Sequence, residues 1–135
     1  MSQEITTMGL VATTPRHLVT REGLAITSFR LASSNRIYNR SNGTWSDETN
    51  WYTITSFRTL AINTATSISK GDRVMISGVL RVRDWDNGTN SGTSVEIEAT
   101  GIAHDLNYGS STFVRSTFSK DPDTTPDTED LTADL

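Results

Sequence analysis

Short segments that alternate apolar and polar side chains, and that are rich in β-branched residues, dominate the first 109 residues of the chain. Threonine alone occurs 22 times in the sequence. β-Branched side chains suit a pleated, half-buried surface, so this pattern favours β-sheet. Strands are predicted over residues 5–12, 24–33, 50–57, 73–85 and 93–103. Asn42-Gly43 and Asn87-Gly88 predict turns within two long hairpin connections, at 35–48 and 86–92.

One segment has helical periodicity instead. Its apolar and small residues fall on one face of a short helix: Leu60, Ala61, Thr64, Ala65 and Ile68. Gly71 follows and provides a stop signal. Five strands with one short helix between the third and the fourth suggest the OB-fold, a five-stranded Greek-key barrel. We therefore expect an all-β chain of this class, with a sandwich or another small barrel as the alternatives.

The charges divide the chain into two parts. All 12 basic residues lie within residues 1–120, together with ten of the 16 acidic residues. Residues 121–135 hold six acidic residues and no basic one, so the net charge of −4 combines a mildly basic body with a strongly acidic end. From about Ser110 the chain has few apolar residues with which to offset its ordering entropy. We expect a folded domain over 1–109 and a disordered acidic tail over 110–135.

The composition also excludes several functional classes. The chain has no cysteine, which excludes disulfides, thiolate metal sites and cysteine nucleophiles. Its two histidines have no cysteine with which to form a metal site, and we expect neither a metal nor a cofactor. No apolar run approaches the ~18 residues of a membrane span. The start, Met-Ser-Gln-Glu, lacks the features of a secretory signal, so we expect a cytoplasmic protein.

Strand alternation places aromatic and basic side chains together on one face. In the predicted strand 50–57, Trp51 and Phe57 share a face. In the predicted strand 73–85, Arg81, Arg83 and Trp85 point to one side. On the other side of that strand we expect core residues: Val74, Ile76, Leu80 and Val82.

Arginines interleaved with large aromatic residues are what a single-stranded nucleic acid requires of its binding surface. Stacking of a base on an aromatic ring contributes ~1–3 kcal/mol without sequence preference. Arginine neutralises phosphates and also stacks on bases, and ten of the 12 basic residues are arginine. The pattern alone leaves the opposite interpretation open, in which Trp51 and Phe57 are core aromatics and the arginines face solvent.

Several motifs follow one another in order between about residues 5 and 106. They are Thr49-Asn50-Trp51-Tyr52-Thr53-Ile54-Thr55-Ser56-Phe57 followed by Leu60-Ala61, then Ser69-Lys70-Gly71-Asp72-Arg73-Val74, Gly78-Val79-Leu80-Arg81-Val82-Arg83-Asp84-Trp85 and Val95-Glu96-Ile97-Glu98-Ala99. Together they resemble the bacterial single-stranded DNA-binding protein (SSB) family. The resemblance implies an OB-fold that assembles as a homotetramer and binds single-stranded DNA without sequence preference, in replication, repair, recombination or DNA uptake.

The resemblance also implies roles for individual residues. Base stacking is expected from three aromatic residues: Trp51, Phe57 and Trp85. A fourth family aromatic falls near Ile37 or Tyr38 and is assigned to Tyr38. Phosphate contacts are expected from the arginines of the family's basic strand and from others near it: Arg81, Arg83, Arg30, Arg36, Arg40 and Arg58.

The C-terminal tip departs from the family pattern. The family usually ends in several aspartates followed by Ile-Pro-Phe, a short hook for partner proteins. Here acidic residues remain, but the Pro-Phe pair is missing. We expect a partner-binding tail that includes Asp130, Asp134 and Leu135, with weakened recruitment of replication and repair proteins, as in the shortened second paralogues that some bacteria carry. Two roles are open for the tail's charge: competition with DNA for the basic surface, or solubility alone.

Two functions other than DNA binding are also compatible with the sequence. Glu96 and Glu98 share one face of the last predicted strand, and a pair of carboxylates is what a glycosidase uses. No other catalytic element accompanies them, so we expect a solvated surface there and no enzymatic activity. The second alternative is an OB-fold that binds single-stranded RNA or an oligosaccharide in the same groove.

Overall fold

A computed structural model describes residues 3–117 of the chain. Its strands are β1 (Gln3–Val11), β2 (Arg16–Val19), β3 (Ala25–Asn39), β4 (Thr44–Phe57), β5 (Arg73–Asp86) and β6 (Ser91–His104), and helix α1 (Arg58–Ser67) lies between β4 and β5. Residues 110–117 follow β6 without forming a helix or strand. The predicted tail residues Asp130, Asp134 and Leu135 lie outside the described residues.

Five of the strands close into a barrel. The order around the ring is β1-β5-β6-β4-β3, and β1 pairs back with β3, where Leu10 faces Ala32 and Val11 faces Leu31. The β4–β6 pairing is parallel, and the other four in the ring are antiparallel. This is the ring order of the OB-fold, with α1 between its third and fourth strands. The predicted fold class is therefore confirmed.

The barrel interior is filled by aliphatic side chains and one phenylalanine, as the alternation of each strand requires. The buried cluster consists of Val11, Phe29, Leu31, Ile54, Ile68, Val74, Ile76, Ile97 and Ala99. In β4, Ile54 and Ser56 are fully buried, whereas Trp51 and Phe57 have the opposite orientation. The face of β4 that points into the barrel therefore carries no predicted binding residue.

Strand β2 is the element that the sequence did not predict. Its four residues are all exposed and pair with the start of β3, so they show no apolar alternation. The hydroxyl of Thr27 donates to the carbonyl oxygen of Ala61 in α1 at 2.7 Å. Because that hydroxyl has one proton, it accepts from His17 Nδ1, also at 2.7 Å. His17 therefore has a structural role, tying β2 and α1 to the barrel.

The first predicted hairpin connection, 35–48, is mostly strand, and the second, 86–92, is reduced to the loop 87–90. Strands β3 and β4 pair as far as Asn39 and Thr44, and β5 and β6 pair as far as Asp86 and Ser91. Residues 34–50 and 81–91 are all exposed. A hairpin with both faces in solvent needs no apolar alternation, which is why the sequence did not reveal 34–39 and 44–49 as strand, whereas 81–85 was predicted as strand. We call 34–49 the first arm and 82–94 the second arm.

Two residues predicted for the interior lie outside it. Val82 keeps the orientation of Ile76 but is 60% exposed, because β5 has left the barrel there and entered the second arm. In α1, Ala61 and Thr64 are buried, whereas Ala65 is exposed. The helix therefore packs through a narrower stripe than its periodicity suggested.

A β-bulge marks the crossing of β5 and β6. The register shifts there: Ser77 faces Gly101 and Gly78 faces Ala99, which leaves Thr100 without an opposite residue. The extra residue changes which β6 side chains point inward. The backbones approach so closely that a Cβ on Gly78 would overlap the Glu98 carbonyl oxygen and lie 2.8 Å from Ala99 Cα. Only glycine fits at this position.

The Gly78→Ala substitution is expected to lower the free energy of unfolding by about 1–3 kcal/mol, the usual cost of overpacking an interior. Urea unfolding followed by circular dichroism measures this change. The matched control is Gly101→Ala in β6, where a new Cβ has nothing within 4 Å. Equal stability of the two variants would contradict the close approach.

Candidate nucleic-acid interface

One continuous outward surface crosses the neighbouring strands β3, β4, β6 and β5 and extends onto both arms. Strand register and alternation place its members on the same side of the sheet. We call it the open face; its members include Arg30, Arg36, Tyr38, Trp45, Asp47, Trp51, Thr53, Thr55, Phe57, Arg81, Arg83, Trp85, Glu96 and Glu98. All of the predicted stacking residues lie on it.

Trp51 is the central aromatic of the open face. It is 50% exposed, so the interpretation of Trp51 as a core residue is wrong. The Arg30 guanidinium lies 5.7 Å from the centroid of the Trp51 ring and donates to Thr53 Oγ1 at 2.9 Å. This geometry is a cation–π contact, and the hydrogen bond fixes the arginine beside the ring. Phe57 lies at the other end of the same row and is half-buried.

The first arm adds an aromatic pair that sequence reasoning found only in part. Tyr38 faces Trp45 across the hairpin, with ring centroids 4.9 Å apart, and the Arg36 guanidinium lies 5.1 Å from the Trp45 centroid. Ile37 points to the opposite side of the arm, which supports the choice of Tyr38. Trp45 was missed, although a tryptophan shortly after the Asn42-Gly43 turn was a usable signal in the sequence; the structure shows that it is exposed. Arg40 lies in the turn at the tip.

Trp85 lies on the second arm and packs flat against the opposite strand. It faces Gly92, and a Cβ on Gly92 would lie 2.7 Å from an atom of the indole ring. Only glycine leaves room for the ring in this position. The other side of the ring stays accessible, because Trp85 is 45% exposed. The glycine therefore supports a flat aromatic surface.

Arg58 has a strained backbone. It follows Phe57 at the start of α1 with φ of 61°, the positive φ that the structure records for a residue other than glycine within 3–117. A long side chain rarely adopts this conformation, and such strain is concentrated at binding sites. Arg58 is exposed where β4 turns into α1, directly after Phe57.

Arg81 and Arg83 are ion-paired with the two glutamates of β6. Arg81 Nη2 lies 3.4 Å from Glu98 Oε1, and Arg83 Nε lies 3.1 Å from Glu96 Oε2. The glutamates lie in the middle of the open face, because β6 separates β4 from β5. The expectation that they form a plain solvated surface is therefore incomplete.

A metal-ligand cluster and a membrane-spanning helix are both absent from the part of the chain that the structure describes. Within residues 3–117, no three histidine or carboxylate side chains lie together as metal ligands. The one helix in this range, α1, has ten residues and is too short to cross a membrane.

Comparison with known proteins identifies the family. Residues 2–105 match the family model described as "Single-strand binding protein family". "Single-stranded DNA-binding protein 2" of Tropheryma whipplei strain Twist is 54% identical over 110 residues, which cover 81% of this chain and 72% of that protein.

Two solved structures are similar in fold. The crystal structure of a small single-stranded DNA-binding protein from Streptomyces coelicolor has a TM-score of 0.70 at 36% identity and covers 81% of this chain and 99% of that one. The second single-stranded DNA-binding protein of Mycobacterium smegmatis has a TM-score of 0.65 at 25% identity and covers 85% and 100%. The motifs, the barrel and these matches agree, and the chain belongs to the single-strand binding protein family.

Proposed function

We propose that this chain binds single-stranded DNA without sequence preference and protects it during replication, repair, recombination or DNA uptake. The observation that carries the proposal is the open face, where exposed aromatic rings alternate with arginines across four strands and both arms. Flat rings supply stacking that every base can use, and arginines supply charge along the backbone. Family membership supports the same conclusion.

We assign base stacking to Trp51, Phe57, Trp85 and Tyr38, and add Trp45. Each of the three tryptophans and Tyr38 is at least 45% exposed, which a monomer core would not allow. The rings at Trp51 and Trp45 are each held by an arginine, so they lose little side-chain entropy when a base stacks on them.

We assign phosphate contacts to five arginines: Arg30, Arg36, Arg58, Arg81 and Arg83. Arg30 and Arg36 lie directly beside stacking rings, where a phosphate adjoins a stacked base. Arg58 lies where β4 turns into α1, next to Phe57. Arg81 and Arg83 lie on the far side of the two glutamates. Arginine suits all five positions because its planar group pairs with phosphate and stacks on bases.

We further propose the context in which the chain works. It acts as a homotetramer in the cytoplasm, associated with the nucleoid, and it is not an enzyme. Glu96 and Glu98 are not a catalytic pair in this proposal; each carboxylate is paired with an arginine of β5. Residues 1–109 form the DNA-binding domain and residues 110–135 an acidic tail with weakened recruitment of partner proteins.

Titration with dT oligomers of graded length is expected to quench the tryptophan fluorescence, because all three tryptophans lie on the open face. Trp51→Ala should weaken binding by about 1–3 kcal/mol, the value of one stacked base. Trp51→Phe keeps a ring at the same place and serves as the matched control. Absence of quenching, or parental affinity of the alanine variant, would contradict the proposal. Competition with an RNA oligomer in the same assay tests the alternative ligand.

Tyr38→Ala is expected to weaken binding of a dT oligomer that reaches the first arm, whereas Ile37→Ala should leave the affinity unchanged. The two side chains are neighbours with similar exposure, but Tyr38 shares a side of the arm with Trp45 and Ile37 does not. Fluorescence anisotropy of a labelled oligomer measures both constants. The assignment is wrong if the isoleucine variant shows the larger loss.

Deletion of residues 121–135 is expected to tighten DNA binding at low salt, because it removes six acidic residues that compete for the arginines. The gain should vanish as salt is raised, since the Debye length shrinks from ~30 Å at 0.01 M to ~8 Å at 0.15 M. Titrations of the full and shortened chains across this range measure it. Equal affinities at low salt would leave the tail a role in solubility alone.

A further inference from the structure

The two glutamates of β6 lie inside the surface that we assign to DNA. In the parallel β4–β6 pairing, Glu96 faces Thr53 and Glu98 faces Thr55, directly beside the aromatic row of β4. On the other side, Glu96 faces Arg81 in the antiparallel β5–β6 pairing. A strand of DNA that stacks on β4 and reaches the arginines of β5 must therefore pass over both carboxylates.

Each glutamate already neutralises an arginine that we assign to phosphate. Glu98 pairs with Arg81. Glu96 pairs with Arg83, and each of these two residues lies two positions away from its counterpart in the first pair. Each arginine pairs with the glutamate that lies two residues further along β6 than the residue it faces in the register, so both side chains lean in the same direction. The arginine side chains are 51% and 69% exposed and those of Glu98 and Glu96 are 44% and 26% exposed, so each arginine is open to solvent and to a ligand.

Such pairs are weak enough to be exchanged. A solvent-exposed ion pair contributes only ~0–1 kcal/mol, whereas an arginine and a phosphate form a charge-assisted and often bidentate contact. When a phosphate takes the arginine, the carboxylate stays behind on the same face. It then repels the phosphate and recruits a cation from solution, which cancels part of the counterion release that drives binding.

We propose that Glu96 and Glu98 act as an intramolecular competitor of the DNA backbone, which lowers the affinity of the β5 side of the open face. This inference rests on the proposed function and adds a regulatory device to it. The competitor leaves stacking on β4 intact and makes the contact with β5 easy to release. A DNA strand bound in this way is held mainly by its bases on β4, and its phosphates are readily released from β5.

Glu96→Gln and Glu98→Gln, singly and together, test the proposal by titration with a dT oligomer at several salt concentrations. Each substitution is expected to tighten binding about fivefold at low salt, the equivalent of about 1 kcal/mol between unit charges ~4 Å apart in water. The slope of log K against log salt should steepen by about 0.7 for each arginine that gains a phosphate.

Glu22→Gln is the matched control, because it makes the same change in net charge in the turn between β2 and β3. If it tightens binding as much as the β6 variants, the effect is one of net charge and the proposal is wrong. Weaker binding by the β6 variants would show that the glutamates position the arginines, which also overturns it. If dT quenches the fluorescence of the parent protein and the variants bind dT with the same affinity as the parent, the proposed competition is wrong while the proposed function stands. If the parent does not bind dT, both proposals fail.

Discussion

The backbone pairing of β1 with both β5 and β3 is the constraint on which the rest of the structure depends. Because β1 pairs with both neighbours, the five strands close into a barrel. Closure fixes one side of every strand as interior and leaves the other for solvent or ligand. On the barrel, the open face is therefore the outer surface of strands whose inner surface is the core, which makes that part of it rigid.

The arms extend that rigid surface beyond the barrel. Strands β3 and β4 continue past the core as the first arm, and the same alternation that hides Ile54 brings Trp51 and Trp45 to one side. An arm of this kind has no core of its own, so its order comes from backbone pairing and from contacts such as Tyr38 with Trp45. The binding surface is thus made larger than the small barrel alone could offer.

The positions of the charged residues matter more for this protein than its net charge. The net charge of −4 is that of an acidic protein, but the acidic end of the sequence lies past residue 120 and the arginines lie before it. The barrel repeats the same arrangement at a shorter range, where Glu96 and Glu98 lie beside Arg83 and Arg81. At both scales the acidic residues that we propose as competitors belong to the chain itself, so the chain sets their concentration near the arginines.

Strand alternation is a local property of the chain, and it predicted that Arg81 and Arg83 lie on the face opposite the core and that Trp51 shares a face with Phe57. Five strands and one helix suggested the OB-fold, and the family motifs favoured it over a sandwich or another small barrel. What depends on position along a strand became visible only in the folded chain. The tertiary structure showed that Val82 lies outside the core, since β5 leaves the barrel before that residue. It also showed β2, the arms and the pairing of Glu96 and Glu98 with arginines, because contacts between distant segments leave no periodic trace in the sequence.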